Sequence, residues 1–236
     1  MNDHTGMVSI EEMQRKMAEQ TQAFMKRQQV YAVRNFRILN KRAVEGGILF
    51  TGSSLMEMFP ICEMALSAGI TKPIYNRGIG GTTTEDFLRE IDAVLLDLKP
   101  SKVFINIGTN DMNSARYGEN WMDRLINNYE EILRIAVDKI PDAEFYLMAY
   151  YPANLHLPWQ TAESISWMVD RTPENLAECN RRVKTLAEKY GMNYIDVNRG
   201  LADENGEQKA EFAMDGVHMY ANGYEIVFDN LRPYIE

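Results

Sequence analysis

Cysteine is scarce. The two in 236 residues, Cys62 and Cys179, lie far apart with no Cys-x-x-Cys spacing. That excludes a disulfide framework and a thiolate metal site, and both are expected as small apolar core residues. Histidine is nearly as rare, with His4, His156 and His218 the complete set. No His-Glu-x-x-His or clustered ligand spacing surrounds them, so neither a metal nor another cofactor is expected. Cationic charge is in deficit: 25 Lys and Arg against 34 Asp and Glu give a net charge of −9 and a pI near 5.0. Such a balance argues against nucleic acid as a partner, because phosphate binding needs a cationic surface. No apolar run approaches the roughly 18 residues of a membrane helix. Met1-Asn-Asp-His-Thr-Gly6 also lacks a basic segment followed by an apolar one, so the expectation is a cytoplasmic protein acting on small substrates.

With 45% hydrophobic and 25% charged residues the composition is globular, and the length suits one substantial core. Residues 9 to about 43 contain no Gly or Pro and bring Ile10, Met13, Met17, Phe24, Met25 and Tyr31 close to one helical stripe. A long amphipathic helix follows from that pattern. Residues 11–44 hold eight Lys and Arg against three Glu, a balance of +5, so the remainder of a chain of net charge −9 carries −14. Residues 1–43 therefore read as a basic helical arm on an acidic body of residues 44–236. Its stripe is expected on the body first, on a second copy in a homodimer next, and on an anionic membrane surface last.

The stretch Ile48 to Met56 carries the first functional signal, an apolar strand that stops at Gly52 and is followed by Ser53 and Ser54. In a parallel sheet covered by helices, ligands bind outside the carboxyl ends of the strands. Either serine can face that crevice, or both can simply cap the next helix. Met56 to about Ala68 reads as a short helix interrupted by Pro60, and Lys72–Asn76 as a second strand. Gly78-Ile-Gly-Gly81 then precedes a helix whose buried face holds Phe87, Leu88, Ile91, Leu95 and Leu98, with Thr82 and Glu85 spaced as a capping box. Pro100 ends that helix. Lys102–Gly108 is a third strand running into Gly108-Thr-Asn-Asp111, and a strongly periodic helix follows from Met122 to Ile140. Glu144–Tyr150 is a fourth strand. Residues 151–171 form a long loop with Trp159 and Trp167. Thr172-Pro173 opens a helix that Gly191 closes, and Asn193–Val197 is a fifth strand. Five strands alternating with helices imply an α/β fold with one parallel sheet covered on both faces.

Asp215-Gly-Val-His218 near the C-terminus completes a set of four segments with reactive or donor groups at strand ends or in loops. In this order the segments resemble the SGNH, or GDSL, hydrolase family of esterases and acylhydrolases. Gly52-Ser-Ser54 corresponds to the family's first block, Asn76–Thr82 to the second, Gly108-Thr-Asn-Asp111 to the third and Asp215–His218 to the last. The resemblance spans residues 47–228 and leaves the arm outside. It implies a three-layer α/β/α, flavodoxin-like sheet of five strands, with Ser54 as nucleophile, His218 as base and Asp215 as its orienting acid. Gly81 and Asn110 would join the Ser54 N–H in an oxyanion hole. One departure is visible: Ser53 stands where the family usually has aspartate.

The residue types suit that chemistry. A serine hydroxyl needs a base to accept its proton, and histidine has a matching pKa. A separation of three residues lets Asp215 and His218 face the same way on a helical turn. Each segment also has a plain structural alternative: the glycines as a turn, Asn110 and Asp111 as caps, Asp215 as a helix-terminal charge. Two other function classes compete with the esterase. A flavodoxin-like nucleotide or flavin binder would use Gly78–Thr84 but leave Asp215 and His218 idle, and a catalytically silent interaction module would use the arm. Acetylated sugars, lysophospholipids and other acyl esters all fit the same serine, and Tyr151, Trp159 and Trp167 are available to stack on a sugar or line an acyl pocket.

Overall fold

The computed structural model describes residues 9–235; His4 and the first eight residues of the arm lie outside that range. Five strands, β1 (Ile48–Gly52), β2 (Ile74–Gly78), β3 (Lys102–Asn106), β4 (Glu144–Met148) and β5 (Asn193–Ile195), form one all-parallel sheet in the order β2-β1-β3-β4-β5. The helices are α1 (Ile10–Asn40), α2 (Ser54–Glu57), α3 (Ile61–Ser67), α4 (Thr84–Arg89), α5 (Ile91–Val94), α6 (Ser114–Tyr117), α7 (Trp121–Lys139), α8 (Ala162–Ile165), α9 (Pro173–Lys189) and α10 (Ala221–Ile235). Helices α4, α5, α7 and α9 cover one face with α1 against α5, while α3 and α10 cover the other. Burial on both faces explains why β1 is an unbroken apolar run and not an alternating one. On the α3–α10 side the register aligns Phe50, Phe104 and Tyr146, whose rings stack at 4.7 Å each. Such cross-strand aromatic pairs add to their area burial.

The register has a consequence for function. Gly52 pairs with Gly78 on one side and with Asn106 on the other, so three of the motif segments leave the sheet at one level. Gly52 must be glycine: its φ is +151°, and a Cβ there would lie 2.0 Å from the Asn106 carbonyl oxygen. Several local expectations shift. The capping box is Thr83–Asp86, not Thr82–Glu85, because the Thr82 N–H closes the preceding turn onto the Ile79 carbonyl. The helix after it breaks at Glu90 and Leu95 into two short pieces and a 3-10 turn. The second strand begins two residues later than its sequence pattern implies, and the 151–171 loop contains the one-turn α8. Cys179 is buried as expected, but Cys62 is exposed on α3.

The arm docks only through its second half. From Met25 onward α1 is fastened to the body by Lys26 to Asp86 (2.7 Å), Arg37 to Glu90 (2.7 Å) and the Asn40 amide to the Ala93 carbonyl (2.9 Å), with Val33 buried. Before Met25, no hydrogen bond or ion pair joins α1 to the body among the described residues, and Ile10, Met17 and Phe24 are 76%, 62% and 51% exposed. The expectation that the stripe packs on the body fails: Met25 and Tyr31 are also exposed, at 41% and 56%, and the face that docks is Ala32, Val33, Phe36 and Asn40.

Candidate active site

Ser54 is the first residue of α2, and Ser53 is its N-cap. The capping alternative fails for both side chains: Ser53 makes no cap hydrogen bond and its buried Oγ has no partner, while Ser54 Oγ lies 2.8 Å from His218 Nε2. His218 Nδ1 lies 2.7 Å from Asp215 Oδ2. The four segments therefore converge, and Ser54, His218 and Asp215 form one hydrogen-bonded line across 164 residues of sequence. Asp215 and His218 face each other without a helix. They lie in the loop before α10, where Asp215 Oδ1 accepts the N–H groups of Val217 (3.0 Å) and His218 (2.9 Å) and folds the segment back on itself. Burial pushes the Asp215 pKa up, but the His218 ring and the two backbone donors outweigh it and bring the value down to about 2. Asp215 is thus ionised at neutral pH and holds the imidazole with Nδ1 as donor.

Gly81 sits in the turn after β2 with φ +67°, and its N–H and that of Ser54 have no protein acceptor among the described residues. Asn110 lies in a 3-10 turn, Thr109–Asp111, directly after β3. Its Nδ2 donates to the Thr82 carbonyl at 3.0 Å, beside Gly81, which leaves its second N–H free. Asp111 does not touch the Ser54–His218 pair. Its carboxylate accepts the Thr84 N–H at 2.9 Å and the Thr84 hydroxyl, locking the third segment to the start of α4. Burial pushes the Asp111 pKa up to about 6 despite those hydrogen bonds.

Sequence reasoning did not single out Arg171 or Glu57. Arg171 is 3% exposed; its Nη2 donates to Asn110 Oδ1 at 3.1 Å and its Nε to the Thr109 carbonyl at 3.0 Å. It thereby fixes which way the Asn110 amide points. Burial lowers its pKa to about 10, so it stays charged. The Trp167 ring covers the Arg171 guanidinium at 4.6 Å and stacks beside the His218 ring at 6.3 Å. No spacing signal marks Arg171, since the contact arises only when the β4–α9 loop folds over Asn110. Glu57 lies one turn past Ser54; burial raises its pKa, against the Gly80 N–H and His218, which lower it. Tyr151 is buried in the core and so is not available to a ligand, whereas Trp159 is 56% exposed. His156 pairs with Glu207 at 2.7 Å, away from Ser54.

The model of the GDSL-like Lipase/Acylhydrolase family matches residues 61–226. Platelet-activating factor acetylhydrolase IB subunit alpha1 of Bos taurus is 21% identical over 193 residues, covering 79% of this chain and 74% of that protein. A Streptococcus pneumonia structure, provisionally described as a platelet activating factor, superposes with a TM-score of 0.81 at 29% identity, over 94% of this chain and 99% of the other. A catalytic mutant of an acetylxylan esterase from Geobacillus stearothermophilus shares the fold at a TM-score of 0.59 and 17% identity, over 81% of this chain and 95% of the other.

Proposed function

The chain belongs to the GDSL-like lipase/acylhydrolase family and is an ester hydrolase of that family, and on this premise we propose that Ser54, His218 and Asp215 carry the reaction through an acyl-enzyme. The observation that supports this reading most directly is the continuous contact from Ser54 Oγ to His218 Nε2 (2.8 Å) and from His218 Nδ1 to Asp215 Oδ2 (2.7 Å). Ser54 Oγ attacks the ester carbonyl carbon while its proton passes to His218 Nε2. The tetrahedral oxyanion that forms is held by the N–H groups of Ser54 and Gly81 and the free Nδ2 hydrogen of Asn110. Collapse breaks the bond to the alkoxy oxygen, which leaves as alcohol with the proton from His218. Water then repeats the sequence on the acyl-enzyme and releases the acid. Asp215 stabilises the imidazolium throughout. Ser53 in place of the family aspartate leaves these contacts intact, because its side chain points into the core. Ser54→Ala is expected to abolish hydrolysis of p-nitrophenyl acetate and labelling by a fluorophosphonate probe while the melting temperature is retained; undiminished turnover sinks the assignment.

We infer that the substrate is a short-chain, acetyl-type ester. Two similar proteins of different substrate names, an acetylhydrolase and an acetylxylan esterase, share that acyl group. A carbohydrate acetate is the first reading. A short-chain lipid ester is the second, favoured by the exposed Ile10, Met13, Met17 and Phe24 on α1. An acyl-chain-length series run beside acetylated saccharides separates them. The same stripe supports pairing of two copies through residues 1–43, with 44–236 as the hydrolase domain. Solution mass of the full chain should then be twice the monomer's and fall to the monomer's when residues 1–23, which carry Ile10, Met13 and Met17 and, among the described residues, no hydrogen bond to the body, are removed; a full chain of monomer mass overturns the pairing.

A further inference from the structure

We propose that the body-docked half of α1 forms one wall of a subsite for the alcohol portion of the ester, and that this portion is hydroxyl-rich, a sugar or polyol. The proposal rests on Ser54 being the nucleophile. Helix α1 reaches the oxyanion loop directly: Gln29 Nε2 donates to the Gly80 carbonyl at 2.9 Å. A Cβ built on Gly81 would lie 3.4 Å from both Met25 Cε and Gln29 Nε2, so the open face of that glycine looks at α1. Across from the helix stands Glu57. Its Oε2 is 2.8 Å from the Cβ position of Gly80, which is itself 4.0 Å from Ser54 Cβ. Between the two walls runs a cleft of about 390 Å³, within the about 300–1,000 Å³ of small-molecule sites.

The lining states the chemistry. Gln28 and Asn35, two turns apart on one face of α1, line the cleft, and their amides carry no hydrogen bond among the described residues. An amide both donates and accepts, which matches a hydroxyl. The Glu57 carboxylate adds acceptors for hydroxyl hydrogens and repels phosphate, which disfavours anionic headgroups. Met25 and Tyr31, 41% and 56% exposed, supply the apolar and aromatic surface on which the C–H face of a sugar ring packs. The ion pairs that fasten α1 from Lys26 onward keep this wall in place before substrate arrives, which lowers the cost of binding. The matched family residues, 61–226, include neither α1 nor Glu57.

The test uses the full chain and two acetyl esters, a methyl mono-O-acetyl-xylopyranoside, which keeps two free hydroxyls, and p-nitrophenyl acetate. In the double variant Gln28→Leu/Asn35→Leu the ratio of kcat/KM for the xyloside to that for p-nitrophenyl acetate should fall about tenfold, mostly through KM, as expected for two lost neutral hydrogen bonds. Gln28→Trp, which fills the cleft without removing a core contact, should lower the same ratio further. A ratio unchanged in both variants overturns the subsite, and so does a parallel loss on both esters, which a merely structural role would give. If the unsubstituted protein cleaves p-nitrophenyl acetate but not the xyloside, the subsite alone falls. If it cleaves neither ester and Ser54 resists a fluorophosphonate probe, the serine-esterase reading falls and takes the subsite with it.

Discussion

On the proposed mechanism, Arg171 acts on the reaction only through Asn110. It holds Asn110 Oδ1 and the Thr109 carbonyl from a fully buried position. Losing an oxyanion donor costs about 2.7–4 kcal/mol of barrier, so Asn110→Ala should lower kcat about 10²- to 10³-fold. Arg171→Met leaves the donor present but unaligned, and a smaller drop in kcat, about tenfold with KM little changed, is expected from steady-state kinetics. Arg171→Lys should recover part of it through the retained charge. Asp111 makes a different prediction. Its folded-state pKa is raised from 3.8 to about 6 by burial, so the folded chain holds more protons than the unfolded chain between those values. Stability from this group therefore falls as pH rises from about 4 to 6, by on the order of 3 kcal/mol at most. Denaturant melts of Asp111→Asn across that window should lose this slope relative to the parent; an identical pH profile refutes the assignment.

At the scale of elements, the strand exits and the arm carry the burden. A Cβ on Gly52 meets backbone, the Asn106 carbonyl oxygen at 2.0 Å, whereas one on Gly80 meets only the end of the Glu57 side chain at 2.8 Å. Backbone cannot move aside without parting β1 from β3, but a carboxylate can rotate. Gly52→Ala is thus expected to lower the melting temperature sharply or prevent folding, and Gly80→Ala to leave it within a few degrees, as read by circular dichroism. Helix α1 should divide the same way. Deleting residues 1–23 removes no body contact among the described residues and should leave stability unchanged. Deleting 1–43 uncovers Arg77, a residue 6% exposed whose guanidinium is bonded to Asn40 at 2.9 Å and stacked on Phe36 at 4.8 Å. Arg77 keeps the Asn76 carbonyl and the Tyr75 ring, so the cost is chiefly the lost packing of Val33 and Phe36, and the longer deletion should destabilise by several kcal/mol.

For the whole molecule, acid stability follows from two carboxylates whose pKa values are held low. Burial raises both, but Lys26, Arg89 and Thr83 outweigh it at Asp86, and His218 with two backbone N–H groups outweighs it at Asp215. Depressed folded-state values mean stability that is present above the ordinary carboxylate range and lost as pH falls through it. Calorimetry should show the melting temperature dropping below about pH 4, and less so in Asp86→Asn, which has already surrendered that contribution. The division between what was legible in the sequence and what was not follows interaction range. The parallel α/β order, the helix that opens at Thr172-Pro173 and the segments that carry Ser54, Asp215 and His218 could be read from the chain because propensity, turn chemistry and block order are local. The exact cap at Thr83, the breaks at Glu90 and Leu95 and the exposure of Cys62 could not, since each depends on what packs against it. Nor could Arg171 or the α1 wall: no local pattern distinguishes one loop arginine or one helical glutamine from another. The sequence by itself determined which chemistry stands at the strand ends. Only the tertiary structure decided what surrounds it, because contacts such as Gln29 to Gly80 and Arg171 to Asn110 exist once the sheet register has brought distant segments to one level.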